Sequence, residues 1–297
     1  MINFVDEVKF FFKQLIELGT LRSNVHTLTK TAYDKKKLKI SIFVKLGLIN
    51  FDWILRRIYY FFRYNFLIHD KKRKAIRKIY LNFCTPLNNS IISIHQYGLS
   101  KKYLKDGGYA LCFGIGDDLF FEEYLATRLN FKVLAGDPTP IAKKFMQEKS
   151  NIQNLDYVPE AIWIENGVKK FFISDDYNGN KEYVGDGSLT NYRKTNTFIN
   201  ITCHDLKYYM KQLDINEIDV LKMDIEGAAI EIIDYCINNS IFPKQITGEI
   251  EIPSTDFSDT INKLENLLSK LKPKYIFFLI NQKNRFQKFE FLMVRNS

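Results

Sequence analysis

A mostly parallel α/β sheet with its last strand reversed, preceded by a helical extension, is the fold this sequence predicts. Three observations carry the prediction. Apolar runs alternate with helical patterns from about residue 89 onward, which is the signature of parallel strands joined by right-handed crossovers. A Gly-x-Gly turn, Gly114-Ile115-Gly116, follows the first clear run. An acidic turn, Asp224-Ile225-Glu226-Gly227, follows a later one, Val220-Leu221-Lys222-Met223.

The elements are justified in chain order. Phe4, Val5, Val8, Phe11, Phe12, Leu15 and Ile16 fall at helical spacing and predict an amphipathic helix. Asp6, Glu7, Lys9, Lys13 and Glu17 interrupt the apolar positions, so the segment does not read as a secretory signal. From Lys35 to Lys78, fourteen Lys or Arg face only Asp52 and Asp70 among nine Phe, Tyr and Trp residues, and much of the net charge of +9 lies there. Three readings fit that stretch: a helical packing region with solvated lysines, peripheral contact with an anionic membrane surface, and, least favoured, a grip on nucleic acid. Lys45, Asp52, Arg56, Arg57 and Arg63 break its apolar run, so it does not predict a span. Cytoplasmic residence, with peripheral membrane contact, is the resulting expectation. Cys84-Thr85-Pro86-Leu87-Asn88-Asn89 breaks the helical pattern and divides a region of residues 1–88 from a body of residues 89–297.

In the body, strands are predicted near residues 109–113, 131–135, 157–164, 220–223, 245–251, 274–280 and 289–294. Helices are predicted near 118–128, 141–148, 205–213, 229–238 and 257–270. The short link between the last two strands makes them an antiparallel hairpin. Between the third strand and His204 the alternation gives way to small strands at 169–173 and 197–202, with turn signals at Asn178-Gly179 and Asp186-Gly187. Such an insertion near strand ends is placed either as a substrate lid or as surface ornament. Cys84, Cys112, Cys203 and Cys236 have no pair spacing, and Cys112 and Cys236 read as core thiols. His26, His69, His95 and His204 form no ligand cluster, and no metal ligands are assigned.

The chemistry follows from where the strands end, since open α/β sheets bind ligands outside their carboxyl edge. The glycines at 114 and 116 let backbone approach a ligand. Asp137, about twenty residues beyond, stands where a nucleoside-binding sheet meets ribose hydroxyls. A dinucleotide site would need a third glycine and an anion-friendly helix start. Here Asp117 and Asp118 follow the turn, and they would repel a pyrophosphate. A phosphate-free cofactor with a cationic centre fits better, and S-adenosylmethionine is the common one.

Phe113-Gly114-Ile115-Gly116-Asp117-Asp118 with Phe121-Glu122, Asp137-Pro138-Thr139-Pro140, and Leu221-Lys222-Met223-Asp224-Ile225-Glu226-Gly227 together resemble the FkbM family of S-adenosylmethionine-dependent methyltransferases. Weaker echoes are Gln96-Tyr97-Gly98, Gly187-Ser188-Leu189, Glu249-Ile250-Glu251 and the closing run from Phe289 to Arg295. The resemblance spans roughly residues 95–296 and implies a Rossmann-like class I methyltransferase sheet. It departs from the family at Ala229, where an acid is usual, and at Gly136, where an aromatic is common.

Gly114 and Gly116 are assigned under the methionine portion of the cofactor, Asp117 to its amino group, Asp137 to the ribose, and Glu160 or Ala161 to the adenine. Asp224 is placed at the methyl end as base or acceptor-orienter, with Lys222 on the same strand. Glu226 either caps the helix it precedes or faces the acceptor. His204 is an alternative base, and its other reading is a helix cap or solvated residue. Glu249 and Glu251 share a strand face and would bind acceptor hydroxyls or, with Asp224, a divalent cation. The resemblance implies O-methylation of a small-molecule or glycan acceptor, such as a sugar hydroxyl in a surface glycan or a natural-product hydroxyl. N-methylation stays open, as does a non-enzymatic module binding membrane or nucleic acid.

Overall fold

The computed structural model describes residues 69–149, 151–174, 187–191, 193–252, 256–281 and 288–296. Residues 1–68 lie outside these, and with them the expected amphipathic helix, most of the basic aromatic stretch and its expected membrane contact. So do the turn signals at Asn178-Gly179 and at Asp186. One compact unit runs from His69 to Ser297. It opens with helix α1 (His69–Phe83) and a hairpin of β1 (Ile91–Ile94) and β2 (Tyr97–Ser100). Strand and helix then alternate through β3 (Tyr109–Phe113), α2 (Phe120–Arg128), β4 (Lys132–Gly136), α3 (Pro140–Glu148) and β5 (Leu155–Val158). A small sheet follows, made of β6 (Ala161–Ile162), β7 (Gly167–Phe172) and β8 (Phe198–His204). The chain ends with α4 (Leu206–Gln212), β9 (Val220–Met223), α5 (Ala229–Asn238), β10 (Gln245–Glu251), α6 (Phe257–Leu271), β11 (Tyr275–Asn281) and β12 (Lys288–Arg295).

The central sheet has seven strands in the order β11-β12-β10-β9-β3-β4-β5. Pairings among β10, β9, β3, β4 and β5 are parallel, whereas β12 runs antiparallel between β10 and β11. The predicted sheet, mostly parallel with its last strand reversed, is therefore the observed one. Alternation along β3 shows why its run is apolar throughout: Leu111 and Phe113 join one core cluster, Ala110 and Cys112 the other. A strand covered on both faces has no solvent side on which to place polar residues. Cys236 is likewise buried. The strand expected at 157–164 is split in two. Pro159 follows β5 directly and cannot donate to the ladder, so the chain leaves the main sheet and β6 pairs with β8 instead.

Local chemistry sets the helix starts. Thr139 caps α3, its side chain accepting from the Ala142 amide, with Pro140 in the first turn. Asp205 caps α4 by accepting from the Tyr208 amide.

Helix α1 is part of the compact unit, ahead of the boundary expected at residue 89. Ile79 is 2 % exposed and packs in the same core cluster as Leu264 of α6, and the Thr85 amide donates to the Phe277 carbonyl at 2.7 Å. Ile79→Ala is accordingly expected to cost about 2–4 kcal/mol of stability through the cavity it leaves. Urea unfolding checks this, and a loss below about 0.5 kcal/mol, the size of an ordinary surface substitution, would mean α1 contributes no core.

Candidate active site

Strands β3 and β9 are parallel neighbours whose ends meet in register, Phe113 beside Met223. The chains then stay close: the Asp224 amide donates to the Phe113 carbonyl at 3.0 Å. Gly114 has φ +81°, and a Cβ there would lie 1.7 Å from the Asp224 carbonyl oxygen, so only glycine fits. Gly114 in turn donates to the Gly136 carbonyl at 3.0 Å, and the Gly116 amide donates to Asp137 Oδ2 at 2.9 Å. The other oxygen of Asp137 accepts from the Thr139 amide and hydroxyl at 2.8 and 2.6 Å. Asp137 therefore ties the glycine turn to the end of β4 while its carboxylate borders the cleft above.

Beneath the turn lies a buried ion pair. Lys222 Nζ is 3.3 Å from Glu122 Oε1, with the two side chains 2 % and 1 % exposed. The same ammonium donates to the Gly114 carbonyl at 2.5 Å and sits 4.8 Å over the Tyr97 ring. Burial alone would lower the lysine pKa, but Glu122, Tyr97 and Asp224 outweigh it and hold the ammonium charged. Burial works on Tyr97 in the opposite sense and keeps its phenol protonated. That hydroxyl donates to Asp224 Oδ2 at 2.7 Å, joined by Gln96 Nε2 at 3.3 Å. Asp224 is thus oriented by the β1–β2 hairpin as well as by its own strand.

The cleft brings together Gly114, Gly116, Asp137, Ala161, Lys222, Asp224 and Glu226 among the residues expected from sequence. Asp117 is exposed and outside the lining, and Asp118 borders the cleft in its place. Glu160 and His204 are also outside the lining and pair with each other, Oε2 to Nε2 3.7 Å. The His204 ring is stacked on Tyr208 with centroids 3.7 Å apart, and its Nδ1 meets Asn166 Oδ1 at 3.1 Å. Glu226 does not cap α5: the cap position is Ala228, with no side-chain hydrogen bond. With φ +46°, followed by Gly227 at +84°, Glu226 forms a tight turn, and its Oε2 accepts from Arg193 Nη2 at 2.7 Å. Glu249 and Glu251 each bring a carboxylate oxygen within 4.8 Å of Asp224's. Glu251 Oε2 accepts from the Gly227 amide at 2.6 Å, and burial with Glu226 and Asp224 nearby pushes its carboxyl up to about 8.

Tyr97, Gln96 and Glu122 are the site residues that sequence reasoning did not assign. One signal was available: a lysine in a strand buried on both faces requires a buried counter-charge. Breaking that pair leaves one charge stranded, so Glu122→Gln is expected to destabilise by about 3–5 kcal/mol. Adding Lys222→Met should recover much of the loss in urea unfolding, and strict additivity of the two substitutions would contradict the pairing.

The family model of the methyltransferase FkbM domain matches residues 85–296. No curated protein matches the chain. Among solved structures, the methyltransferase FkbM of Methylobacillus flagellatus is 12 % identical, covering 64 % of this chain and 44 % of its own, with a TM-score of 0.39. The fibrillarin pre-rRNA processing protein of Methanococcus jannaschii is 12 % identical over 65 % of this chain and 69 % of its own, at a TM-score of 0.38. A Streptococcus mutans protein in complex with SAH is 12 % identical over 66 % of this chain and 94 % of its own, at 0.34. This chain thus spans less than half of the Methylobacillus structure. The family model, which takes in the glycine turn, the Asp137 block and the Lys222–Gly227 turn, covers most of the sequence, and the chain belongs to the methyltransferase FkbM domain family.

Proposed function

We propose that the protein transfers a methyl group from S-adenosylmethionine to a hydroxyl of a sugar in a surface glycan or glycoconjugate. The observation that carries the reading is Asp224: a carboxylate oriented by Tyr97 and Gln96 at the edge of a cleft whose floor is the Gly114–Gly116 turn.

The cleft fits such a cofactor. A Cβ at Gly116 would meet nothing within 4 Å, so a ligand can approach the turn from open space. Asp118, Asp137, Asp224 and Glu226 border the cleft, while the lysine beneath it is balanced by Glu122. An acidic lining suits a sulfonium and an ammonium and disfavours a pyrophosphate. Ala161, Ile162 and Phe171 form an apolar end that suits an adenine.

When bound, the cofactor supplies an electrophilic methyl group on sulfur. The chain's own work is to align the acceptor with it and to take a proton. Tyr97 and Gln96 hold Oδ2 of Asp224, which leaves Oδ1 as the oxygen that receives the proton. Oδ1 would take the acceptor hydroxyl's proton as the hydroxyl oxygen attacks the methyl group, with the cofactor supplying a neutral thioether as leaving group. Glu251 borders a neighbouring cavity and is assigned to a second acceptor hydroxyl, whereas Glu249 is fully buried and lines neither cavity. The same carboxylates would also hold a cationic amine, so N-methylation is the second reading, and mass spectrometry of the product separates the two. Among the described residues no helix is long and apolar enough to cross a membrane. Contact with a lipid-linked acceptor is assigned to the basic residues 35–78, and vesicle flotation unchanged by replacing the Lys and Arg residues of 35–78 with glutamine would remove that assignment.

Calorimetric titration with S-adenosylmethionine tests the cofactor. Wild-type protein should bind one equivalent, and Gly114→Ala, which forces the turn away from Asp224, should weaken binding at least about tenfold. Asp224→Asn should keep cofactor affinity within a few-fold and lower turnover about 100-fold or more, the range for losing a general base. Unimpaired turnover in that variant would remove Asp224 from the proton transfer.

A further inference from the structure

The three carboxylates of Asp224, Glu249 and Glu251 meet at the carboxyl ends of two parallel neighbours, β9 and β10. One oxygen from each lies within 4.8 Å of the others. Glu249 is fully buried and Glu251 is 8 % exposed. Three carboxylates this close and this shielded from water cannot all carry charge without a countercharge. Lys222, on β9 two residues before Asp224, is committed to Glu122 and to the Gly114 carbonyl.

The oxygens divide in a telling way. Asp224 uses Oδ2 for Tyr97 and Gln96, and Glu251 uses Oε2 for the Gly227 amide. Glu251 Oε1 is left buried with no hydrogen-bond partner. A buried polar atom without a partner costs about 1–3 kcal/mol, more when charged, unless something fills the gap. Glu251 is therefore fixed by one oxygen and keeps the other, buried, for a ligand.

We propose that Asp224, Glu249 and Glu251 bind one hard divalent cation of the magnesium and manganese class. An all-carboxylate donor set selects such ions over zinc or copper. Donors on one cation, with bonds of about 2.1–2.4 Å, lie at most about 4.2–4.8 Å apart, so the observed spacing admits a shared ion. Asp224 borders the cofactor cleft, and Glu251 borders a second cavity with Gly227, Asp256 and Thr260. The cation therefore stands between the two, where an acceptor entering from the second cavity would meet the methyl group. There it takes an acceptor hydroxyl as a further ligand and makes that hydroxyl easier to deprotonate, so that with the ion bound Asp224 serves as a ligand and the released proton passes to water instead. This last role rests on the proposed methyl transfer, whereas binding of the ion does not.

The test is a Mn2+ titration of the full chain after EDTA treatment, followed by the loss of the free Mn2+ electron-spin resonance signal. One ion per chain is expected, and Glu249→Gln and Glu251→Gln should each weaken it at least about tenfold. Absence of stoichiometric Mn2+ binding by the wild type, or unchanged binding in both variants, overturns the proposal. Circular dichroism checks that the variants fold, and where a buried glutamine prevents folding, Asp224→Asn at the cleft edge decides by the same criterion. A parallel S-adenosylmethionine titration keeps the two ideas apart. Mn2+ bound without the nucleoside supports this site and sinks the methyl-transfer reading, while the nucleoside bound without Mn2+ does the reverse.

Discussion

The approach of two strand ends at Gly114 and Asp224 is the contact on which the site depends. A Cβ at residue 114 would overlap the Asp224 carbonyl, so the glycine lets the β3 turn and the β9 turn touch. Three polar links converge on that contact: the Asp224 amide to Phe113, the Gly114 amide to Gly136, and the Lys222 ammonium to the Gly114 carbonyl. Separating the turns would break several of these at once. Backbone held this way is pre-organised, and pre-organisation is what a transfer reaction most requires of its protein.

Charge is arranged around that contact with a clear division of labour. Below the turn, the Lys222–Glu122 pair closes on itself and leaves the cleft acidic. Above it, Asp224 is held by neutral donors, Tyr97 and Gln96, which orient the carboxylate without adding a countercharge. To one side, Arg193 from the insertion between β7 and β8 reaches Glu226. The insertion is thereby attached to the acidic turn. Asp224, Glu249 and Glu251 gather three carboxylates at one point beside it, and the cation site is assigned there.

Much of this was legible in the sequence, for identifiable reasons. The run at 109–113 is apolar because both faces of the sheet are covered there, 220–223 departs from that only at Lys222, and the structure reproduces both limits together with those of 245–251. Gly114, Gly116 and Asp137 were recognisable because a turn that admits a ligand has few chemical solutions. Tyr97 was not assigned because its contact with Asp224 spans 127 residues and leaves no local periodicity. Glu226 read equally well as a helix cap, since a carboxylate before a helix usually is one. Only the positive φ at 226 and 227 turns it toward Arg193. The split of the third strand was written in Pro159, whose effect on a ladder outweighs the apolar residues on either side.

The account turns on where a nucleoside cofactor sits, and a crystal structure with S-adenosylhomocysteine measures that directly. The account predicts the ligand along the Gly114–Gly116 turn, its sulfur facing Asp224 and its base against Ala161 and Phe171. A ligand held elsewhere in the molecule, or one whose sulfur points away from Asp224, would contradict it.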